Sequence, residues 1–217
     1  MHWKYLLFDL DGTLTDSMPG IARAVQYALR RFGIDVQDLA ALKPFLGPPL
    51  RDSFMEFYGM SPEEADRAVA VSREYFVPRG MFENELYPGI PELLAATAAA
   101  GRVNVIATSK PQPFAERIAA HFGIDRHFRL ISGSTFDGRR KTKADVIRHA
   151  LSALGIAPGE AVMIGDRRHD VEGAAEEGLP AIAVEWGYAP PGELEAARPL
   201  RIVPDVETLR RLLLGNE

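Results

Sequence analysis

Short apolar runs recur along this chain, and helical patterns separate the later ones. The runs cover residues 5–8, 103–107, 128–131, 161–164, 181–184 and 201–203. Runs of this length predict buried strands. Between them, apolar residues repeat at three- or four-residue spacing, as at Phe114, Ile118 and Phe122, which predicts amphipathic helices. Strands that alternate with helices predict an α/β fold with a parallel sheet.

The alternation stops between about Pro19 and Asn84, where helical patterns replace the strands. One helix face is formed by apolar residues at helical spacing: Ile21, Ala24, Val25, Ala28, Leu29 and Phe32. A second helix is predicted around Phe54, and a third after the start signal Ser61-Pro62. The interruption therefore predicts a helical cap that is inserted into an α/β core after the first strand.

Composition excludes several classes of function. A net charge of −5 gives no general attraction to nucleic acid polymers or to anionic membranes, so a small anionic ligand bound at a local site is favoured. The absence of cysteine excludes disulfides, thiolate metal sites and thiol nucleophiles. The start of the chain does not resemble a signal peptide and no run is long enough to span a bilayer, so we expect a cytoplasmic protein. The sequence does not indicate an oligomeric state.

Two aspartates, Asp9 and Asp11, stand where the first apolar run ends, and Gly12 follows them. Ligands bind at the carboxyl ends of strands in parallel sheets. Two carboxylates there repel each other unless a cation or a proton relieves them, and a bound Mg²⁺ would do so. Gly12 allows a sharp turn and a close approach of a ligand to the backbone. The alternative is that both aspartates only cap the loop and the helix that follows.

A second acidic element follows the apolar run at residues 161–164. Asp166 comes directly after Gly165 and is predicted to join the metal cluster, and Asp170 lies four residues further on. Asp170 could contact the metal or its bound water, or it could cap the next helix, because aspartate is common at helix starts.

Two further elements offer phosphate ligands. Thr108 and Ser109 end an apolar strand, and hydroxyls with backbone N–H groups at a helix start can hold a phosphate, although either residue could be a helix cap. Lys141 and Lys143 precede an amphipathic helix, where a lysine opposes the helix dipole unless it points to a bound anion. In the cap, Arg51 could meet a carboxylate or phosphate, or be an ordinary surface arginine.

The order of these motifs resembles the haloacid dehalogenase superfamily of phosphatases. The shared pattern is Asp-x-Asp-Gly-Thr, a hydroxyl pair after a strand, a lysine before a helix, and Gly-Asp-x-x-x-Asp. The resemblance covers essentially the whole chain and implies a Rossmann-like core of residues 1–16 and 86–217 with a helical cap of residues 17–85. Trp186-Gly187-Tyr188 also resembles the phosphoglycolate phosphatase-like and 5′-nucleotidase-like group.

The resemblance implies roles for the residues that match its motifs. Asp9 is expected to be the nucleophile, and Asp11 the general acid and then the general base. Thr108 is expected to bind phosphate, and Asp166 to bind Mg²⁺ together with Asp9 and the backbone carbonyl of Asp11. Ser109 and Gly12 are expected to make supporting contacts.

The catalytic lysine is expected to be Lys143, because similar phosphatases place it beside an Ala-Asp-Val-Ile segment; Lys141 is the second candidate. The implied activity is Mg²⁺-dependent hydrolysis of a small phosphorylated metabolite through an aspartyl-phosphate. A phosphosugar mutase of the same superfamily and a non-enzymatic phosphometabolite-binding protein are the alternatives.

Overall fold

A computed structural model describes residues 3–215 of the chain. It divides into two compact units: one comprises the stretches up to Thr15 and from Leu86 onward, and the other is Asp16–Glu85. The predicted boundaries, at 16/17 and 85/86, differ from this division by one residue at one end. None of the helices within residues 3–215 combines the length and apolar character needed to cross a lipid bilayer.

The six predicted apolar runs all form strands, and two short strands, Thr15–Asp16 and Glu85–Leu86, were not predicted. They are β1 (Tyr5–Phe8), β2 (Thr15–Asp16), β3 (Glu85–Leu86), β4 (Val103–Pro111), β5 (Phe128–Ser134), β6 (Ala161–Gly165), β7 (Ala181–Val184) and β8 (Arg201–Val203). Among the described residues, six of them form one parallel sheet in the order β5-β4-β1-β6-β7-β8. The predicted α/β fold is therefore confirmed.

The helices are α1 (Met18–Arg31), α2 (Leu50–Tyr58), α3 (Pro62–Phe76), α4 (Ile90–Ala99), α5 (Gln112–His121), α6 (Lys143–Leu154), α7 (Arg168–Glu176), α8 (Glu193–Ala197) and α9 (Val206–Leu214). The first unit contains α4–α9. On one side of its sheet, Leu7, Val105 and Met163 pack with Ile147 of α6 and Val171 of α7 in one buried cluster. Apolar strand residues thus bury against apolar helix faces, as alternation of the two patterns predicts.

The second unit contains α1–α3 and has a buried cluster of its own. Leu29, Leu42 and Phe54 are fully buried in it. The rings of Phe45 and Phe54 meet edge to face with 5.1 Å between centroids, so Phe54 is a packing residue of this unit. The α3 helix begins with a capping box in which Ser61 and Glu64 satisfy each other's backbone N–H groups.

The centre of the large sheet brings the predicted motifs together. β1 lies between β4 and β6, with Phe8 opposite Ile106 on one side and Ile164 on the other. The segments after these residues therefore emerge side by side at the carboxyl edge of the sheet. The strand order also reverses here, because β4 lies on one side of β1 and β6 on the other, and such a switch point is where open α/β sheets bind ligands.

Candidate active site

Three buried aspartates meet at the carboxyl edge of the sheet. Asp9 follows β1, Asp166 follows β6, and Asp170 lies in the first turn of α7. One carboxylate oxygen from each lies within 4.8 Å of the other two. We call these residues the acidic triad; the carboxylate of Asp11 is outside it.

Backbone and hydroxyl donors fix the Asp166 side chain. The Thr13 hydroxyl donates to Oδ1 at 3.1 Å, and the backbone N–H of Tyr188 donates to Oδ2 at 2.8 Å. The indole N–H of Trp186 in turn donates to the carbonyl of Thr13 at 3.1 Å. Sequence reasoning gave Thr13 no role of its own, although it lies in the first motif.

The two carboxylate oxygens of Asp170 have different partners. Its Oδ2 accepts from the backbone N–H of Arg167 at 3.0 Å and so stabilises the start of α7. Its Oδ1 lies 2.7 Å from Nζ of Lys143. One oxygen therefore serves the helix and the other faces the site.

Of the two candidate lysines, the structure places Lys143 against the triad. Its Nζ lies 2.8 Å from Oδ1 of Asp9 and 2.7 Å from Oδ1 of Asp170, and it donates to the carbonyl of Ala107 at 3.1 Å. Three oxygens therefore surround an ammonium group that has three N–H donors. The Lys141 side chain is exposed.

The pKa values of the buried groups reflect an excess of negative charge. Burial raises the pKa of Asp166 well above its ordinary value, and the charges of Asp170 and Asp9 raise it further. Burial also raises the pKa of Asp170 to about 6, although Lys143 opposes the shift. Burial by itself lowers the pKa of Lys143, but Asp170 and Asp9 outweigh burial and raise it above its ordinary value.

Close backbone approach leaves no room for a side chain beside Asp166. A Cβ at Gly12 would lie 2.2 Å from Oδ2 of Asp166, and a Cβ at Gly187 would lie 2.3 Å from its Cβ. Gly12 also has φ +83°, which favours glycine. Glycine is therefore needed at position 12 because the backbone turns there with a positive φ and passes directly against the Asp166 carboxylate.

The donor set fits a divalent cation. With Asp11 included, four carboxylates face two ammonium groups, those of Lys143 and Lys110, so the fully ionised site carries two surplus negative charges. Burying such a surplus is unfavourable without a cation. Carboxylate oxygens are the ligands that Mg²⁺ prefers.

The predicted phosphate ligands belong to different elements of the chain. Thr108 is buried in the second half of β4, and its hydroxyl accepts from the backbone N–H of Lys110 at 3.2 Å. Ser109 is half-buried beside it. Arg51 belongs to the second unit, where its Nε donates to Asp66 at 2.7 Å on the surface.

Sequence reasoning missed Lys110 as a site residue. Its Nζ lies 2.7 Å from Oδ1 of Asp11, and its side chain is buried. The signal that could have identified it is its position directly after the hydroxyl pair, on a strand next to the one that carries the aspartates.

These motifs and their fold define a family. The model of the haloacid dehalogenase-like hydrolases matches residues 6–184, and the chain belongs to this family. The predicted membership is therefore confirmed.

Comparison with individual proteins narrows the assignment. The chain is 47% identical over 213 residues to a 5′-nucleotidase of Pseudomonas aeruginosa, an alignment that covers 98% of this chain and 96% of that protein. The crystal structure of a predicted phosphatase from Clostridium acetobutylicum, 46% identical, superposes with a TM-score of 0.95 over 99% of this chain and 100% of that one. The chain is a phosphatase of the haloacid dehalogenase-like family, a phosphoric monoester hydrolase as expected.

A third relative has a different name. Tyrosine-protein kinase PtkA of Mycobacterium tuberculosis is 43% identical over 185 residues. The alignment covers 85% of this chain but only 63% of PtkA.

Proposed function

We propose that this chain is a Mg²⁺-dependent phosphatase that hydrolyses a small phosphomonoester through an aspartyl-phosphate on Asp9. The position of the Asp9 carboxylate carries the proposal. It is buried directly after β1, in the acidic triad and 2.8 Å from the Lys143 ammonium. A carboxylate can approach an anionic phosphoryl group only where cations offset the repulsion between them.

The metal site is proposed to comprise the acidic triad and the backbone carbonyl of Asp11. Mg²⁺ bound there would neutralise charge on the phosphoryl oxygens and help to align the ester with Asp9. Lys143 supplies a fixed positive charge beside the same carboxylates, and the Thr108 hydroxyl of β4 is proposed to bind a phosphoryl oxygen.

The proposed reaction has two steps, and Asp11 transfers a proton in each. In the first step, a carboxylate oxygen of Asp9 attacks phosphorus, the bond from phosphorus to the ester oxygen breaks, and Asp11 gives that oxygen its proton. In the second step, water attacks phosphorus, its proton passes to Asp11, and the bond from phosphorus to Asp9 breaks. Alcohol and inorganic phosphate leave, and both aspartates return to their starting states.

We propose nucleoside 5′-monophosphates as the first substrate class to test. The support is the name of the Pseudomonas aeruginosa relative, which aligns with nearly the whole chain. Phosphoglycolate is the second class, from the resemblance of the motifs. Both are phosphate esters of an alkyl alcohol. In each, the leaving group is an alkoxide that needs a proton.

The test is a screen for phosphate release from nucleoside 5′-monophosphates, 2-phosphoglycolate and sugar phosphates, with Mg²⁺ and with a chelator. We expect release only with Mg²⁺. Asp9→Asn is expected to lower kcat by more than about 10⁴-fold, on the scale seen when a covalent enzyme loses its nucleophile. Asp125→Asn, at an exposed aspartate of the same unit, is the matched control and is expected to keep the wild-type rate.

Three results would contradict the proposal. A wild-type rate in Asp9→Asn excludes Asp9 as the nucleophile. Equal release with the chelator excludes the metal requirement. An isomerised sugar phosphate in place of inorganic phosphate identifies a mutase.

Phosphotransfer to a protein hydroxyl is a second candidate, and the similarity to PtkA favours it. The first step would be unchanged, and a tyrosine hydroxyl would replace water in the second. Radiolabelled phosphate recovered on a protein tyrosine, rather than as inorganic phosphate, would support this candidate over hydrolysis.

A further inference from the structure

Lys110 is a second buried lysine at the site, and none of the roles described above uses it. Its side chain is 5% exposed and its Nζ lies 2.7 Å from Oδ1 of Asp11, whose side chain is 14% exposed. Solvent screens a pair this buried only weakly, so the pair holds both side chains more firmly than a surface ion pair would.

The backbone fixes both partners of this pair. Asp11 lies three residues beyond Phe8, and Lys110 lies four beyond Ile106, its partner in the parallel ladder. The backbone N–H of Lys110 also donates to the Thr108 hydroxyl at 3.2 Å. Adjacent strand ends, rather than long loops, therefore bring the ammonium and the carboxylate together.

Lys143 cannot replace Lys110 in this contact. Its Nζ is already surrounded by oxygens of Asp9 and Asp170 at ion-pair distance and by the carbonyl of Ala107, to which it donates. Lys143 therefore contacts members of the acidic triad, whereas Lys110 contacts Asp11.

We infer that Lys110 is a positioning residue for proton transfer. Its ammonium holds the Asp11 carboxyl group apart from the acidic triad, directed first at the oxygen that leaves phosphorus and then at the attacking water. The inference rests on the proposed function: Asp11 gives one proton to the ester oxygen, takes one from water, and ends each turnover as it began. Lys110 itself exchanges no proton.

Substrates with different leaving groups can distinguish this positioning role from a general structural role of Lys110. An alkoxide needs a proton as it leaves, whereas p-nitrophenolate is stable enough to leave without one. The second step needs Asp11 whatever the substrate was, because water must still lose a proton. Misplacing Asp11 should therefore slow both steps for an alkyl phosphate but only the second step for p-nitrophenyl phosphate.

The experiment compares Lys110→Met with the wild type on AMP and on p-nitrophenyl phosphate. We expect kcat for AMP to fall by about 10²-fold, the usual contribution of a positioned proton donor, with KM changed by less than about threefold. With p-nitrophenyl phosphate we expect a rapid burst of about one p-nitrophenol per enzyme, followed by a slow steady state, because the aspartyl-phosphate accumulates. Lys4→Met, at an exposed lysine just before β1 and so at the far end of the sheet, is the control and should match the wild type.

Two further variants test whether Lys110 acts through Asp11. Lys110→Arg keeps the charge and is expected to restore part of the AMP rate. Asp11→Asn combined with Lys110→Met is expected to be no slower than Asp11→Asn alone, because the lysine then has nothing to position. The double variant removes both charges, so it tests the inference even if Lys110→Met fails to fold, which thermal unfolding would reveal.

Several outcomes would overturn the inference. The first is an equal loss of kcat in Lys110→Met on AMP and on p-nitrophenyl phosphate, with no burst. The second is a higher KM with unchanged kcat in that variant. The third is a double variant whose kcat lies below that of Asp11→Asn by as large a factor as Lys110→Met lowers the wild-type kcat. A wild-type chain that releases phosphate from neither substrate would instead refute the proposed function, so the two failures are distinguishable.

Discussion

Lys143 compensates buried negative charge at the candidate site. Its side chain is 5% exposed and contacts two members of the acidic triad. Removing one partner of a buried ion pair leaves the other charge without compensation, which is far more unfavourable than losing a surface pair. The same contact is therefore expected to matter for folding as well as for the proposed phosphoryl transfer.

We predict that Lys143→Met lowers the free energy of unfolding by about 3–5 kcal/mol in the absence of metal. Mg²⁺ should recover part of this loss, since a bound cation replaces the missing charge. Urea unfolding with and without Mg²⁺ measures both effects. Lys141→Met, at an exposed lysine, should change stability by less than about 0.5 kcal/mol. Equal effects of the two variants would contradict the burial argument.

Gly12 provides a second prediction at the scale of single residues. Gly12→Ala adds a Cβ 2.2 Å from the Asp166 carboxylate at a positive φ, so we expect stability to fall by more than about 2 kcal/mol and Mg²⁺ to bind more weakly. Gly101→Ala is the matched control, because φ is +76° there but nothing lies within 4 Å of the added Cβ.

Gly101→Ala should lose only about 1–2 kcal/mol, from backbone strain, and should keep its Mg²⁺ affinity. Urea unfolding and titration calorimetry measure the two quantities. An unchanged Mg²⁺ affinity in Gly12→Ala would show that the glycine matters only for the turn.

The sequence identifies some residues of the candidate site more easily than others. Asp9 and Asp166 stand out because an acid directly after an apolar strand is unfavourable there without a cation. Lys110 does not stand out, because a lysine after a strand usually extends into solvent. Its burial follows from the pairing of β4 with β1, and local patterns do not contain that tertiary contact.

Among the elements, α6 determines which lysine enters the site. Thr142 is its N-cap, with the hydroxyl accepting from the backbone N–H of Asp145 at 3.1 Å. Lys143 is consequently the first helical residue, while Lys141 lies outside the helix. The sequence left two candidates because both precede the same amphipathic pattern, and only the exact helix start separates them.

Thr142→Ala should therefore affect stability and catalysis together. We expect the free energy of unfolding to fall by about 1 kcal/mol, and kcat to fall because the backbone that carries Lys143 becomes less fixed. Asp205→Ala removes the N-cap contact of α9, where the Asp205 side chain accepts from Thr208 at 2.7 Å. It should lose similar stability and keep the wild-type kcat. Urea unfolding and steady-state kinetics measure the two effects. If Thr142→Ala and Asp205→Ala had equal kcat values, the N-cap of α6 would have no influence on the site.

Strands were easier to predict than irregular segments. β1, β7 and β8 have the predicted bounds, because a short, largely apolar run beside turn residues is too short for a helix. β4 continues to Pro111, four residues past its apolar run, because pairing with β5 rather than hydrophobicity sustains it. The 3-10 helix at Leu39–Phe45 was not predicted, since its short apolar pattern has neither strand nor α-helix period.

At the scale of the whole molecule, the two units have separate hydrophobic clusters. Leu7, Val105 and Met163 belong to the cluster of the first unit, and Leu29 and Phe54 belong to that of the second. The sequence indicated this organisation because strand patterns stop where the insertion begins. Its motifs do not specify a substrate, because they concern the phosphoryl group that all phosphomonoesters share.

Separate clusters predict that the first unit folds without the second. The chain leaves it at β2 and returns at β3, and these two strands pair, so a short glycine-serine linker can replace residues 17–84. We expect the shortened chain to unfold cooperatively. Since the acidic triad lies wholly in this unit, Mg²⁺ at about 100 times its Kd should add about 2.7 kcal/mol of stability.

Asp166→Asn in the shortened chain is the control for that stabilisation, because it removes one of the three carboxylates without changing the length of the chain. Thermal unfolding with and without Mg²⁺ measures the effect. A shortened chain that unfolds without a cooperative transition would show that the first cluster needs the inserted unit. A shortened chain that folds but gains no stability from Mg²⁺ would show that the triad alone is not a metal site.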